Sequence, residues 1–114
     1  MTRRNAKVRL LHMRDYAKQA VEMIRDRARE DVDADDMLRL ALTHLVELVG
    51  EAASQIPPDI REQYPQIPWP KVIGMRHRLV HGYDKVDYDI LWETITSNLP
   101  PLIETLERIV DGEA

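Results

Sequence analysis

An all-α chain, folded as an antiparallel bundle of four main helices plus a short fifth element, is what three observations predict. Apolar residues recur at three- and four-residue steps over most of the length. Prolines gather in one short stretch and one later pair, where they divide the periodic segments. No segment alternates convincingly as a half-buried strand would, and no repeat or low-complexity segment interrupts the pattern. At 114 residues, two domains would each be too small, so one core spanning residues 1–114 is expected.

The first helix is expected from about Asn5 to Arg29, where Leu10, Met13, Ala17, Ala20, Val21, Ile24 and Ala28 fall on one face. Asp33, Asp35 and Asp36 then gather where carboxylates favour a helix N-terminus. The apolar set that follows, from Leu38 to Ile56, spreads around more than one face, so the second helix is either central or shared with another subunit. Pro57, Pro58, Pro65, Pro68 and Pro70 make the next stretch a loop, with a short helical turn around Asp59 to Tyr64. Pro70 suits the first turn of a third helix, expected from about Lys71 to His81 and stopping near Gly82. Ile90, Leu91 and Ile95 suggest a fourth. Pro100 and Pro101 fit the opening turn of a fifth, which carries Leu102, Leu106, Ile109 and Val110.

Composition narrows the function classes. Apolar residues make up 44% and charged residues 32%, the balance of a globular protein, and no apolar run approaches the roughly 18 residues that crossing a bilayer requires. No membrane partner is expected. The basic N-terminus is not followed by an apolar stretch or a small-residue cleavage site, so no secretory leader is expected and a cytoplasmic location fits. The absence of cysteine removes disulfides, thiolate chemistry and cysteine-based zinc sites. A net charge of −4 argues against nonspecific coating of nucleic acid, yet residues 1–29 hold nine Lys/Arg against three Asp/Glu. A local basic face could guide RNA; a solvated helix explains the same charges equally well.

The segment GMRHRLVHGY carries the chemistry. On an ideal helix Arg76 and His81, five apart, diverge by roughly 140°. Arg76 and Tyr83, seven apart, share a face, and His77 and His81 form an i, i+4 pair. These relations suggest a site assembled across a two-fold interface. Taken singly, each residue has a plainer role: a surface ion pair for Arg76, a favourable position at a helix C-terminus for His81, a packed phenol for Tyr83. Met75, Leu79 and Val80 read as packing residues, and Trp69 and Trp92 as core or loop anchors. His77 and His81 could also share a zinc ion, but Arg78 stands where a zinc-protease motif would supply Glu, and neither Asp84, Asp87 nor His44 is marked as a third ligand.

The run Arg76, His77, Arg78, Leu79, Val80, His81, Gly82, Tyr83 resembles the signature of the HEPN superfamily, and of its HepT-like branch in particular: an Arg, a polar residue, three further residues and a His, continued as His-x-Tyr. The likeness extends to Gly50-Glu51-Ala52-Ala53, to Ile67-Pro68-Trp69, and to Val86-Asp87 with Trp92, in the family's order, so it covers most of the chain. A lone R-x4-H is weak; the ordered set is strong. Two departures stand out. His77 occupies a position where HepT-like proteins commonly have Asn, and Gly82 one where they commonly have Asp.

The resemblance implies a HEPN-like fold and metal-independent RNA cleavage, with Arg76 and His81 as the catalytic pair, His77 in support, and no cofactor. An imidazole with an unperturbed pKa of about 6.5 can take a proton from a ribose 2′-hydroxyl or give one to the departing 5′-oxygen. A guanidinium offers a fork of donors to the phosphate as charge builds on it. Which copy of His81 is base and which is acid stays open. The resemblance further implies the toxin of a type VII-like toxin–antitoxin module, working as a homodimer that could assemble further with its antitoxin, a minimal nucleotidyltransferase. That partner would transfer AMP to Tyr83. The alternative is a non-catalytic subunit of a nucleotidyltransferase, in which Arg76 holds a nucleotide or substrate phosphate; a purely structural dimerisation module is a third possibility.

Overall fold

The computed structural model describes residues 1–81 and 85–112, with the side chains of Arg3 and His81 outside that description. The fold is all-α, as expected. Helix α1 (Arg3–Met23) starts at Thr2, whose hydroxyl accepts from the Asn5 amide at 3.1 Å. Ala6, Leu10, Met13, Ala17 and Ala20 bury one stripe of it, and the three alanines let neighbouring helices come close. The helix stops six residues before the expected Arg29. Asp26 turns to φ 62°, a left-handed conformation that ends the ladder, and Ala28 is exposed.

One member of the acidic cluster, Asp35, serves a helix start as expected, and Asp31, just before the cluster, serves another. Asp31 accepts from the Ala28 amide at 2.7 Å to open α2 (Arg29–Ala34), and Asp35 accepts from the Leu38 amide at 3.0 Å to open α3 (Asp36–Ser54). Arg29 bonds to Asp33 at 3.0 Å and to Asp89 at 2.9 Å, and so ties α2 to a segment sixty residues further along the chain. The bond to Asp33 does most to hold its guanidinium above its ordinary pKa; partial burial opposes this and Asp89 adds to it. Helix α3 takes the central of the two positions foreseen for it. It buries Leu38, Leu42, Leu45, Val46, Val49, Gly50, Ala52 and Ala53, and packs against α1, α2 and three later helices. Met37 and Leu40, at 83% and 69% exposure, project from it into solvent.

The proline-rich stretch holds one short helix, α4 (Pro58–Arg61). Trp69 is the anchor of this loop: its buried indole N–H donates to the carbonyls of Arg61 and Tyr64 at 3.1 and 3.0 Å. The single third helix expected over residues 71–81 is instead two, α5 (Trp69–Ile73) and α6 (Met75–Leu79), meeting at Gly74. Gly74 takes non-helical angles (φ −82°, ψ 1°), and a Cβ there would lie 2.9 Å from the Pro70 carbonyl oxygen. Pro70 does fall in the first turn of α5, as expected.

The chain then leaves helical geometry. Val80 is extended (φ −100°, ψ 117°), and β1 (Val80–His81) pairs antiparallel with β2 (Lys85–Val86), Val80 opposite Val86 and His81 opposite Lys85. The Asp87 amide donates to the Leu79 carbonyl at 2.7 Å, which closes this ribbon against the end of α6. No strand was expected here. Two β-branched residues paired across the ribbon, Val80 and Val86, win locally over continued helix.

Asp87 caps α7 (Tyr88–Glu93), accepting from the amides of Asp89 and Ile90 at 3.0 Å each. The expected fourth and fifth helices are joined without a break: a π-helical segment, Thr94–Asn98, leads straight into α8 (Leu99–Gly112). Pro100 and Pro101 supply no amide protons, and their rings would crowd the carbonyls four residues back; the wider π turn, with the Leu99 amide bonded to the Thr94 carbonyl, relieves that conflict. Leu10 and Met13 of α1, Leu42 and Val46 of α3, Leu91 and Ile95 of the α7–π rod, and Leu99 and Leu106 of α8 are all at most 1% exposed and form the centre of one continuous core. Among the described residues no helix is long and apolar enough to cross a membrane.

Candidate active site

Val72, Met75 and Leu79 turn inward at helical spacing along α5 and α6 and are buried in the core. The same periodicity sends Arg76, His77 and Arg78 outward, and all three are exposed. Arg76 and His77 face α3 across a groove of about 190 Å³, whose other walls are Glu47, Gly50, Glu51, Ser54 and Ile73. Gly50 permits this closeness: a Cβ there would lie 3.2 Å from the Val72 carbonyl oxygen and 3.4 Å from that of Ile73.

Most side chains that line the groove are polar, and they are largely uncommitted among the described residues. Among the described residues Arg76 and His77 make no ion pair and no side-chain hydrogen bond, so the guanidinium fork has donors to spare for a ligand. Glu51 accepts only a long bond, 3.4 Å, from the Gln55 amide. A guanidinium and an imidazole on one wall opposite carboxylates on the other can hold a phosphate and present proton acceptors and donors around it.

Of the four residues singled out from the sequence, the structure brings Arg76 and His77 together. It places the His81 backbone on β1, while that side chain and Tyr83 lie outside the described residues. The helical geometry invoked for the motif needs correction, because α6 ends at Leu79. Arg76 and His81 are therefore not related by 500° of helix, Arg76 and Tyr83 do not share a helix face by their spacing, and His77 and His81 are not an i, i+4 helical pair. The chain direction changes between them as the ribbon takes over the backbone hydrogen bonds.

Glu47, Glu51 and Ser54 were given no role by the sequence analysis. Their signal was available: positions 47, 51 and 54 form a polar i, i+4, i+7 stripe on a helix whose other residues from Leu45 onward are apolar. A larger cavity, about 300 Å³, lies elsewhere, between α5 and the π–α8 junction, and is lined by residues such as Lys71, Met75, Asn98 and Leu102. It includes none of the motif's polar residues, whereas the smaller groove holds Arg76 and His77. No group of three or more His, Asp or Glu placed to share a metal ion occurs among the described residues.

The model of a family described as "Ribonuclease HepT-like" matches residues 13–109, a span that contains α3, the groove and the whole motif. The chain belongs to the HepT-like family. This HepT-like chain is 34% identical over 110 residues to a protein of Methanocaldococcus jannaschii named "Putative RNase MJ0125", covering 96% of the chain and 95% of the relative. It is 33% identical over 104 residues to "Putative RNase TTE0752" of Caldanaerobacter subterraneus subsp. tengcongensis, covering 91% and 93%. It is also 33% identical over 102 residues to "Probable ribonuclease HepT" of Thermococcus cleftensis, covering 86% and 92%. No solved structure matches the chain significantly.

Proposed function

We propose that residues 1–114 act as one HepT-like unit, a metal-independent endoribonuclease and the toxin of a type VII-like toxin–antitoxin module. The observation that carries the reading is the Arg76 fork, unpaired among the described residues and exposed beside His77 in a groove inside the family match. RNA cleavage follows from 2′-hydroxyl attack: the new bond joins the 2′-oxygen to phosphorus and the bond to the 5′-oxygen breaks, leaving a 2′,3′-cyclic phosphate and a 5′-hydroxyl. One His81 takes the 2′ proton and a second protonates the 5′-oxygen. Arg76 stabilises the charge on the phosphate.

Two imidazoles require two chains, and the apolar Met37 and Leu40, exposed on α3, offer surface to a second copy. Purified protein is expected to cut single-stranded RNA in EDTA and to leave cyclic phosphate ends, read by end-specific labelling. A strict need for added zinc or magnesium would defeat metal independence. Binding of nucleotide without any cutting would favour the alternative, a non-catalytic subunit of a nucleotidyltransferase.

Regulation is assigned to Tyr83, two residues beyond the proposed catalytic His81. AMP on that phenol adds a phosphate able to occupy the donors of Arg76 in place of RNA. Incubation with the partner nucleotidyltransferase and ATP is expected to add AMP to the unaltered chain, seen by intact-mass spectrometry, and to silence it. Tyr83→Phe should keep its nuclease and escape both. A Phe variant that is still silenced would remove Tyr83 from the mechanism.

A further inference from the structure

On the other side of Glu51 a second groove runs between α1 and α3, lined by Arg9, His12 and Tyr16 from one helix and Leu48, Glu51, Ala52 and Gln55 from the other. Glu51 lines both grooves, so they are neighbouring parts of one surface. Both adjoin the same helix, α3, and a helix is about 10 Å across. A strand of RNA lying against Arg76 would reach the second groove within about three stacked nucleotides.

Charge pairing together with position in the groove sets Arg9 apart in the basic N-terminal segment. Arg14, Lys18, Arg25, Arg27 and Arg29 each have a carboxylate partner: Asp15, Glu107, Glu22, Asp35 and Asp33, respectively. Arg4, Lys7 and Arg9 have none among the described residues, and of these it is Arg9 that lines the groove. Beside it the rings of His12 and Tyr16 lie 6.1 Å apart at 44°, both half-buried and therefore held, with Leu48 and Ala52 supplying apolar surface. Gln55 and Glu51 stand at the opposite wall, where an amide and a carboxylate can meet the amino edge of a base.

We propose that this α1–α3 groove is a nucleotide subsite on the RNA path, flanking the one at which the chain is cut. Arg9 holds a phosphate, a base lies against the rings of Tyr16 and His12, and Glu51 with Gln55 favours bases that present an exocyclic amino group. The inference rests on the ribonuclease reading for its substrate, single-stranded RNA, but its residues are separate from Arg76 and His81.

Binding of a fluorescein-labelled 2′-fluoro oligonucleotide of about ten nucleotides, which has no 2′-hydroxyl to attack, tests the subsite by anisotropy as a function of salt. Arg9→Gln is expected to raise Kd about tenfold and to reduce the slope of log K against log salt by about 0.7. Tyr16→Leu, which keeps an apolar side chain against the core, should raise Kd by about tenfold with the slope unchanged. Lys18→Gln removes the same charge on the side of α1 that faces α8, and should stay within about twofold of the unaltered protein. Circular dichroism checks that each variant is folded.

The subsite is overturned if Arg9→Gln and Tyr16→Leu bind as Lys18→Gln does, or if they weaken self-association and leave RNA binding alone. The two readings fail differently. RNA cut by a protein whose affinity ignores the groove sinks the subsite alone. Groove-dependent binding with no cutting of ordinary RNA sinks the nuclease alone, and no binding at all sinks both.

Discussion

Arg76→Ala should lower the single-turnover rate of RNA cleavage by about 10²- to 10³-fold, the usual loss when one preorganised donor to a developing charge is removed. Because Arg76 is exposed and engages no described partner, its truncation leaves no buried group orphaned, and helicity and melting temperature should hardly move. Arg76→Lys keeps the charge but loses the planar fork, so its rate should fall between the two. His81→Ala should cost about 10²- to 10⁴-fold, with the loss concentrated in the proton-transfer step. Because the proposed site takes one His81 from each of two chains, excess His81→Ala chain mixed with unaltered protein should suppress cleavage by forming mixed dimers, whereas chains acting alone would keep the activity of the unaltered fraction. Cleavage by homogeneous protein that survives both single changes would falsify the assignment.

The second large effect concerns what holds the motif in place. Leu79 is fully buried at the end of α6, one residue before the backbone turns extended, and its carbonyl receives the Asp87 amide that closes the ribbon. Leu79→Ala should destabilise the fold by about 2–5 kcal/mol, from lost burial plus the cavity left behind. The melting temperature should then drop by on the order of 10 °C. Met37→Ala, at an 83% exposed position, should change monomer stability by no more than about 0.5 kcal/mol. A Leu79→Ala chain that melts with the unaltered protein would mean that the α6 end is not anchored through the core.

How far the sequence could be read depended on the range of the interactions involved. The stripe Leu10, Met13, Ala17, Ala20 is set by helical periodicity alone, and it is buried as expected. The central place of α3 was visible in apolar residues on more than one face. The end of α1 was not, since Asp26 carries no glycine-like signal for its left-handed turn. The break at Gly74 and the ribbon at Val80 depend on groups that meet only after folding, the Pro70 carbonyl in one case and Val86 with Asp87 in the other. At the site, Arg76 and His77 were legible as a motif within ten residues. Glu47 and Glu51 were not, because their relation to Arg76 spans more than twenty residues of chain and arises from the close packing at Gly50.

The π-helical segment Thr94–Asn98 carries a consequence for how this chain can vary in length. A π turn holds one residue more than the α ladder around it, and that surplus fixes the angle at which α8 leaves the rod. Deleting one residue between 94 and 98 would remove that surplus and let an ordinary α ladder run through, with α8 kept near its present phase. A deletion in the α-helical stretches on either side has no surplus to draw on and turns everything beyond it by about 100°. In that second case Leu102, Leu106, Ile109 and Val110, now buried, would swing away from α1, and charged neighbours such as Glu104 and Arg108 would approach it. Related sequences that are one residue shorter in this rod should therefore carry the gap at positions 94–98.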